Sequence, residues 1–471
     1  MYQLSGQINP LKVFLIKRSE LEERLEPKYY TKKYKDNENR LLASKYPVKS
    51  LVEVSNLISD GTHFTPVYVK EGVKFISVKD VRRFQISYLD SKFISKQEAE
   101  QLDKRCKPQR DDILLTKIGT FGYAARVDTD EEFQIFVSLA LVRPNEAVYP
   151  KYLEIFLNSE LAFVQYERVI KGSGVPDLHL EDIRRIKMPL PPIDIQSEII
   201  QSFQDKFDLK VQKETQARSI LKEIYPFLLN ALGVELEHRE SGLKTRIFHR
   251  KLSELNNRLD PLYYHSDLTV FNSGSYPSQK IGKVAFSFKS GSGAGKQDQA
   301  RKESGIIQIR PTNIKEYGIL NFDKNIYIPA DELTDSSLLE VNDVLFNNTN
   351  SQEWVGKTAV NTCSEKMSYS NHVTRIRVNE DKITPDYLCL ILNAYQRYKI
   401  FYSICTNWNN QSGIGLDLLV SLDIPVPPLE KQNEITNHIL GQYALANSLF
   451  EEANLLMEIE KKYIEMSILG E

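Results

Sequence analysis

The stretch GSGAGK at 291–296 is the one that most invites chemistry. A phosphate-binding loop needs a glycine, four residues, then Gly-Lys-Ser/Thr, so that main-chain N–H groups cradle phosphates and the lysine reaches their oxygens. Here Ser290 stands where the first glycine belongs, and Gln297 follows the lysine. The pattern fails as a nucleotide site and leaves a Gly/Ser loop able to approach phosphates. The seven histidines show no ligand spacing, and His63 and His179 sit in polar loops. Cys106, Cys363, Cys389 and Cys405 are scattered without a CxxC pair, which argues against a zinc site or a disulfide framework. No Ser/His/Asp arrangement is supported. These residue types predict no catalytic residue and no metal in this chain.

Length, composition and charge bound what else the chain can be. Its 471 residues suffice for two or three domains, and 41% hydrophobic with 26% charged residues is an ordinary globular balance. A net charge of −2 neither favours nor excludes nucleic acid, because a local basic face can bind DNA on a neutral protein. No apolar run approaches the roughly 20 residues of a membrane helix. The first residues lack the basic start, apolar stretch and small-residue cleavage site of a leader. The expected location is cytoplasmic.

The organisation is a tandem duplication. FLIKRSELEERLEPKYY (14–30) aligns with FHRKLSELNNRLDPLYY (248–264), identical at 10 of 17 positions with an offset of 234. YPKYLEIFLNS (149–159) matches TPDYLCLILNA (384–394), and RDDILLT (110–116) resembles VNDVLFN (341–347). MPLPPIDIQSEI (188–199) returns as IPVPPLEKQNEI (424–435). Order and spacing are kept, so the halves share one fold. The ends of the halves are alike and the middles are not: the ends do one job twice, and the middles read different things.

The middles read as mixed α/β. VKFISVKDV, DDILLTKI and FVSLALVRP, then GIIQIRPTNI, NDVLFNN and HVTRIRVNE, carry β-branched runs bounded by Gly, Asp or Pro. PKYLEIFLNSELAFVQYE and PDYLCLILNAYQRYKIFY have helical spacing and open on proline, favourable at a helix start. After each Pro-rich motif an apolar stripe begins: Ile199, Phe203, Phe207, Val211, Ala217, Leu221, Ile224 and Leu228, then Ile435, Ile439, Tyr443, Ala446, Phe450, Ala453, Met457 and Ile464. Two helices of roughly 35 residues, about 50 Å long, exceed what a small domain buries and predict an antiparallel coiled coil. Phe203, Phe207 and Leu221 are expected opposite Ile439, Tyr443, Ala446 and Phe450. Pro226 is expected to kink or end the first helix.

This organisation resembles the specificity subunit of type I restriction–modification enzymes. The resemblance covers nearly the whole chain and rests on the doubled Pro-rich motif with its helix. SDGTHFTP (59–66) and KGSG (171–174) are also similar to family patterns. Where members often carry Glu before the motif glutamine, this chain has Ile195 and Lys431. The second half has GSGAGKQD where the first has SDGTH, so the sequence pairs no DNA-reading residues between halves. The methyltransferase hallmarks, an Asn-Pro-Pro-Tyr run and a Gly-rich loop for the adenosyl cofactor, are missing.

The family implies an α/β (mixed) fold: two similar target-recognition domains related by tandem duplication, joined by two long antiparallel coiled-coil helices. Each domain would read one half of a split double-stranded DNA sequence. The helices would fix the unread spacer and dock two methyltransferase (modification) subunits, with restriction/translocase subunits as further partners. Two major-groove segments on one face lie about 34 Å apart, and a rigid coiled coil sets such a distance. No cofactor is expected in this chain: S-adenosylmethionine belongs to the methyltransferase, ATP and Mg to a restriction partner. The expected segments are 1–46 (N-terminal), 47–192 (first recognition domain), 193–232 (central helix), 233–279 (linker and repeat), 280–428 (second recognition domain) and 429–471 (C-terminal helix).

DNA-reading side chains are Arg, Lys, Asn, Gln, Ser and Thr on loops beside strands. The candidates are Thr62, His63, Lys79, Lys117, Thr120 and Lys171 in the first half. In the second they are Lys296, Gln297, Arg310, Asn313, Asn347, Asn348, Asn350, Asn409 and Gln411, rich in amides that can bond adenine bidentately. For each, a turn or cap role is the alternative. Phe121 and Trp354 are read first as packing residues. The pairs Tyr29–Tyr30 and Tyr263–Tyr264 are read as pins or docking contacts. Other readings of the whole chain are the specificity subunit of a two-subunit type II enzyme and a coiled-coil scaffold without DNA.

Overall fold

The structure is a computed structural model that describes residues 16–21, 24–172, 174–235, 247, 249–255, 259–265, 270–330, 333–409 and 411–471. Phe14 and Phe248, which open the repeated segments, and Ser173 of KGSG lie outside the described residues. The chain divides into two compact units, Met1–Lys213 with Glu451–Glu471, and Glu214–Phe450.

In the first unit a four-stranded antiparallel sheet runs in the order Ser55–Asp60, Leu139–Pro144, Ile113–Thr116, Ala124–Arg126. Its inner strands Ile113–Thr116 and Leu139–Pro144 are mostly apolar because both of their faces are covered, while the edge strand Ser55–Asp60 keeps polar residues. Ala140, Val142, Ile113, Leu115 and Ala124 face a core built with the helices Pro150–Leu157 and Glu160–Val169. Leu139, Leu141, Leu114 and Ala125 face a second core with Ile76, Phe133 and Ile135. The alternation is the two-residue period of a strand. A second sheet orders Phe133–Ile135, Val73–Ile76, Lys92–Ile94, Tyr68–Val69, with its first pair parallel.

The second unit repeats this plan: Ala285–Ser290, Val373–Val378, Val344–Asn347, Thr358–Val360 in one sheet and Ile326–Pro329, Gly305–Ile309, Met367–Tyr369 in the other, the last pair parallel. Each expected strand run holds a strand. Each expected middle helix is two: the first breaks where Ser159 caps Glu160–Val169, and the second where Lys399 takes φ 60° after Pro385–Arg397.

The Pro-rich motif closes each unit. Lys187–Pro189 pairs antiparallel with Val48–Ser50, and Asp423–Pro425 with Ser278–Lys280. Tyr152 donates its hydroxyl to the Pro189 carbonyl at 2.9 Å, and Tyr387 does the same to Pro425 at 2.9 Å. The Tyr29 ring is pinned under Arg168, whose guanidinium lies 3.9 Å from its centre, and Tyr30 is buried.

The long helices are Ile193–Leu232 and Leu429–Leu469, 40 and 41 residues. Pro226 does not end the first, which continues to Leu232. In each unit the two run antiparallel. In the first, Ser202 donates to Glu460 at 2.9 Å and Lys213 to Glu452 at 2.6 Å. In the second, Ala217 packs with Ala446 and Leu449, and Phe227 stacks on His438 at 4.0 Å. Leu221 joins the second-unit seam as expected. Phe203 and Phe207 do not: they pack on Phe84, and with Met457 and Ile464 they belong to the first unit's core. Antiparallel pairing sets low numbers on one helix against high numbers on the other, which places them there. Val211 leaves the stripe and is exposed.

Candidate nucleic-acid interface

In the first unit, three strand ends meet: Asp60 ends one strand, Thr116 another, and Leu139 begins the strand between, with register Ala140–Asp60 and Leu139–Thr116. Ser138 ties two loops here. Its carbonyl accepts the Lys117 N–H at 2.9 Å, and its hydroxyl accepts the Val78 N–H at 3.1 Å, which anchors the turn carrying Lys79. Pairings of Ile118 and Lys171 with Asp177 bring Lys171 and Asp177 to the same edge. His63, Lys79, Lys117, Thr120 and Lys171 therefore share one loop cluster.

Asp60 is its electrostatic centre. It is 3% exposed and receives the Arg105 guanidinium, the His63 ring at 3.3 Å and the Lys117 ammonium at 3.5 Å. Burial pushes its carboxyl upward, but the bonds from Arg105 and His63 and the Lys117 charge outweigh it and hold it below the usual carboxylate range. Gly61 is required beside it: a side chain there would meet the Ile135 carbonyl oxygen at 2.0 Å.

The second unit sets different chemistry on the same scaffold. The register Thr374–Ser290 and Val373–Asn347 makes Ser290 the counterpart of Asp60, and Asn347 and Asn348 those of Thr116 and Lys117. Gly291 stands where Gly61 stands, with the Tyr369 carbonyl oxygen at 2.0 Å from an added side chain. Where the first unit buries a charge pair, Asn348 donates to the Thr374 hydroxyl at 2.8 Å. The structure thus pairs positions that the unlike loop sequences leave unpaired. Beyond Asn348, the segment Thr349–Asn350 joins Gln411–Gly413 and Thr406–Trp408 in a small sheet whose tip holds Asn409.

Three candidates are buried with side-chain bonds to the surrounding main chain. Thr62 is 3% exposed, its N–H and carbonyl holding Ile135 and Val137 and its hydroxyl closing a turn onto Phe64. Asn313 is 2% exposed and caps its own turn, accepting the Arg310 N–H at 2.9 Å while its amide donates to the Asn321 carbonyl. Asn347 is fully buried and donates to the Trp354 carbonyl at 3.0 Å. Lys117 and Asn348 are buried as the floors of their clusters. His63, Lys79, Thr120, Lys171, Lys296, Gln297, Asn409 and Gln411 are exposed, and Arg310 and Asn350 are half-buried. Phe121 stacks on Phe163 at 5.6 Å, and Trp354 is half-exposed with Lys357 3.9 Å from its ring centre.

Two families of positions, alike in frame and unlike in side chains, fit domains that read different targets. The profile described as type I restriction modification DNA specificity domain matches residues 43–223 and again 281–461. The chain belongs to this family. It is 32% identical over 124 residues to the putative type I restriction enzyme MjaX specificity subunit of Methanocaldococcus jannaschii, covering 26% of this chain and 29% of that one. It is 27% identical over 157 residues to the type I restriction enzyme EcoBI specificity subunit of Escherichia coli, covering 33% of each. The matched stretches thus span about a third of those relatives' length. A solved chain from a type I R-M system shares the fold with a TM-score of 0.54 at 14% identity, covering 90% of this chain and 97% of that one.

Within the two specificity domains, sequence reasoning missed Arg105 and Trp408. Arg105 follows the helix Lys96–Asp103, away from any strand-loop signal, and only the fold brings it onto Asp60. Trp408 is half-exposed and lies over Gly413, where a side chain would meet its ring at 2.4 Å. An aromatic beside Asn and Gln in a turn was the available signal. Among the described residues, no group of three His, Cys, Asp or Glu is placed to hold a metal, and no helix is long and apolar enough to cross a membrane.

Proposed function

We propose that the chain is the DNA-recognition subunit of a type I restriction–modification enzyme, each specificity domain reading one half of a bipartite duplex sequence. The observation that carries this reading is the substitution of chemistry at equivalent strand ends: Asp60 and Lys117 in one domain, with Arg105 brought onto Asp60, and Ser290 and Asn348 in the other, with Asn348 on Thr374. Hydrogen-bonding side chains on framed loops are what base-edge readout needs, and different sets read different bases. The chain performs no bond chemistry. Adenosyl transfer belongs to methyltransferase subunits that bring S-adenosylmethionine, and ATP- and Mg-dependent work belongs to a restriction subunit.

The long helices set the unread spacer and dock the methyltransferases. Support for docking comes from Leu455, Ile459, Tyr463 and Met466 on the second helix, which recur at helical spacing and are each about half-exposed. An apolar stripe in this position marks a partner surface. The test is to supply the chain with its methyltransferase subunits in cells and sequence the genome for adenine methylation. One split motif with a fixed gap supports the proposal. Methylation independent of the chain would show a scaffold instead.

A further inference from the structure

In the second unit, a cavity of about 300 Å³ opens where the strands Gly305–Ile309 and Met367–Tyr369 both end. Its walls are the loop 293–295, Arg310, Ser370 and His372. Arg310 is braced on two sides. Its Nε donates to Gln308 at 3.1 Å, and its Nη2 donates to the Ala294 carbonyl at 2.9 Å. Gln308 is itself fully buried and fixed on the Ser292 carbonyl at 3.1 Å. A guanidinium braced this way keeps its remaining N–H groups aimed without losing rotamer freedom on binding. Among the described residues no carboxylate pairs with it, unlike Arg105 and Lys117 on Asp60.

Ser370 supplies the second independent sign. It is 3% exposed, and its hydroxyl has no hydrogen-bond partner, a state that costs free energy until an acceptor arrives. The loop adds shape: Gly293 and Gly295 put no side chains of their own into the cavity wall, while the Gly295 N–H is taken by Asp298 at 2.7 Å. By strand register the first unit has Ser77, Phe136 and Ser138 where the second has Arg310, Ser370 and His372, so this cationic seat is not a property of the scaffold.

We propose that this cavity seats one backbone phosphodiester of the DNA held by the second specificity domain. The proposal rests on the recognition function above. A braced arginine, an unmet hydroxyl donor and an imidazole suit an anion with several acceptor oxygens and give no base identity. The seat would fix the register from which the exposed Gln297, Asn409 and Gln411 act.

The test uses the chain in complex with its methyltransferase subunits and duplexes in which single phosphates are replaced by neutral methylphosphonates. For the parent, one position in the second half-site should lower affinity about tenfold when neutralised, the scale of one good charged contact. Arg310→Gln should bind the natural duplex about tenfold more weakly and be indifferent to that one methylphosphonate. Its salt slope should fall by about 0.9, the value for one phosphate. Arg310→Lys, which keeps the charge, should keep the salt slope and lose affinity severalfold, with its thermal melt compared to the parent's to separate a folding loss. Full and additive penalties at every position in Arg310→Gln would overturn the proposal. So would saturation of the parent by low-millimolar inorganic phosphate without DNA, which would identify a free anion as the ligand. A parent complex that binds no duplex would instead contradict the recognition function itself.

Discussion

Gln196 accepts the main-chain N–H of Tyr149 at 2.9 Å, and this contact explains why the chain repeats its Pro-rich motif. The same amide donates to the Ala147 and Pro191 carbonyls at 3.0 and 2.9 Å. In the second half Gln432 accepts from Thr384 at 2.9 Å and donates to Lys382 and Pro427 at 2.9 and 2.8 Å. Both glutamines are fully buried. Each locks the start of a core helix to the start of a long helix, the same structural task done once in each unit.

Replacing Gln196 or Gln432 with Ala should leave a buried N–H unmet and cost about 1–3 kcal/mol of stability. Urea denaturation of each variant checks this. Unchanged midpoints would show that solvent satisfies these groups.

Asp60→Asn should remove the nearer of the two carboxylates beside the buried Lys117, leaving Asp177 at 3.9 Å, and cost about 3 kcal/mol at neutral pH. The folded carboxyl is held below its unfolded value of about 3.9, so its contribution is present above that pH and lost as pH falls through the folded pKa. The stability gap between parent and Asp60→Asn should be flat above about pH 5 and shrink below about pH 4. Arg105→Ala, at a half-exposed side chain, should leave the fold intact and lower affinity for the first half-site about tenfold or more. Melts across pH and binding to half-site duplexes measure both.

Leu455→Ser with Ile459→Ser should change the midpoint of unfolding little, since both side chains are more than half-exposed. Co-purification with methyltransferase subunits should drop. Undiminished capture would move the docking surface elsewhere.

Four residues inserted after Lys213, matched by four before Glu452, which faces it, would lengthen the helix pair by about 6 Å. The recognised spacer should grow by about two base pairs, at roughly 3.4 Å each, with both half-sequences unchanged. An active variant that keeps the parental spacer would refute the helices as a ruler.

The duplication, the strands and both long helices were legible because each is written in local pattern: a repeated motif, a β-branched run, an apolar stripe. The candidate interface was legible only in part. Lys117 and Asn348 stand out as polar residues ending apolar strands, and both do lie at the cluster floor. Thr62, Asn313 and Asn347 looked equally suitable, but the Thr62 hydroxyl and the Asn313 and Asn347 amide N–H groups are engaged by the main chain around them, which composition cannot reveal. Arg105 was invisible because its partner Asp60 is distant in sequence. Phe203 and Phe207 were assigned to the wrong seam because a stripe gives a face and not the partner along it.

The central claim is that two domains read independently. Its most direct measurement is methylation-sensitive sequencing of genomes modified by a complex in which residues 47–186 come from another family member. The account predicts one changed half-sequence, with the other half and the spacer kept. A change in both halves, or in neither, would contradict it.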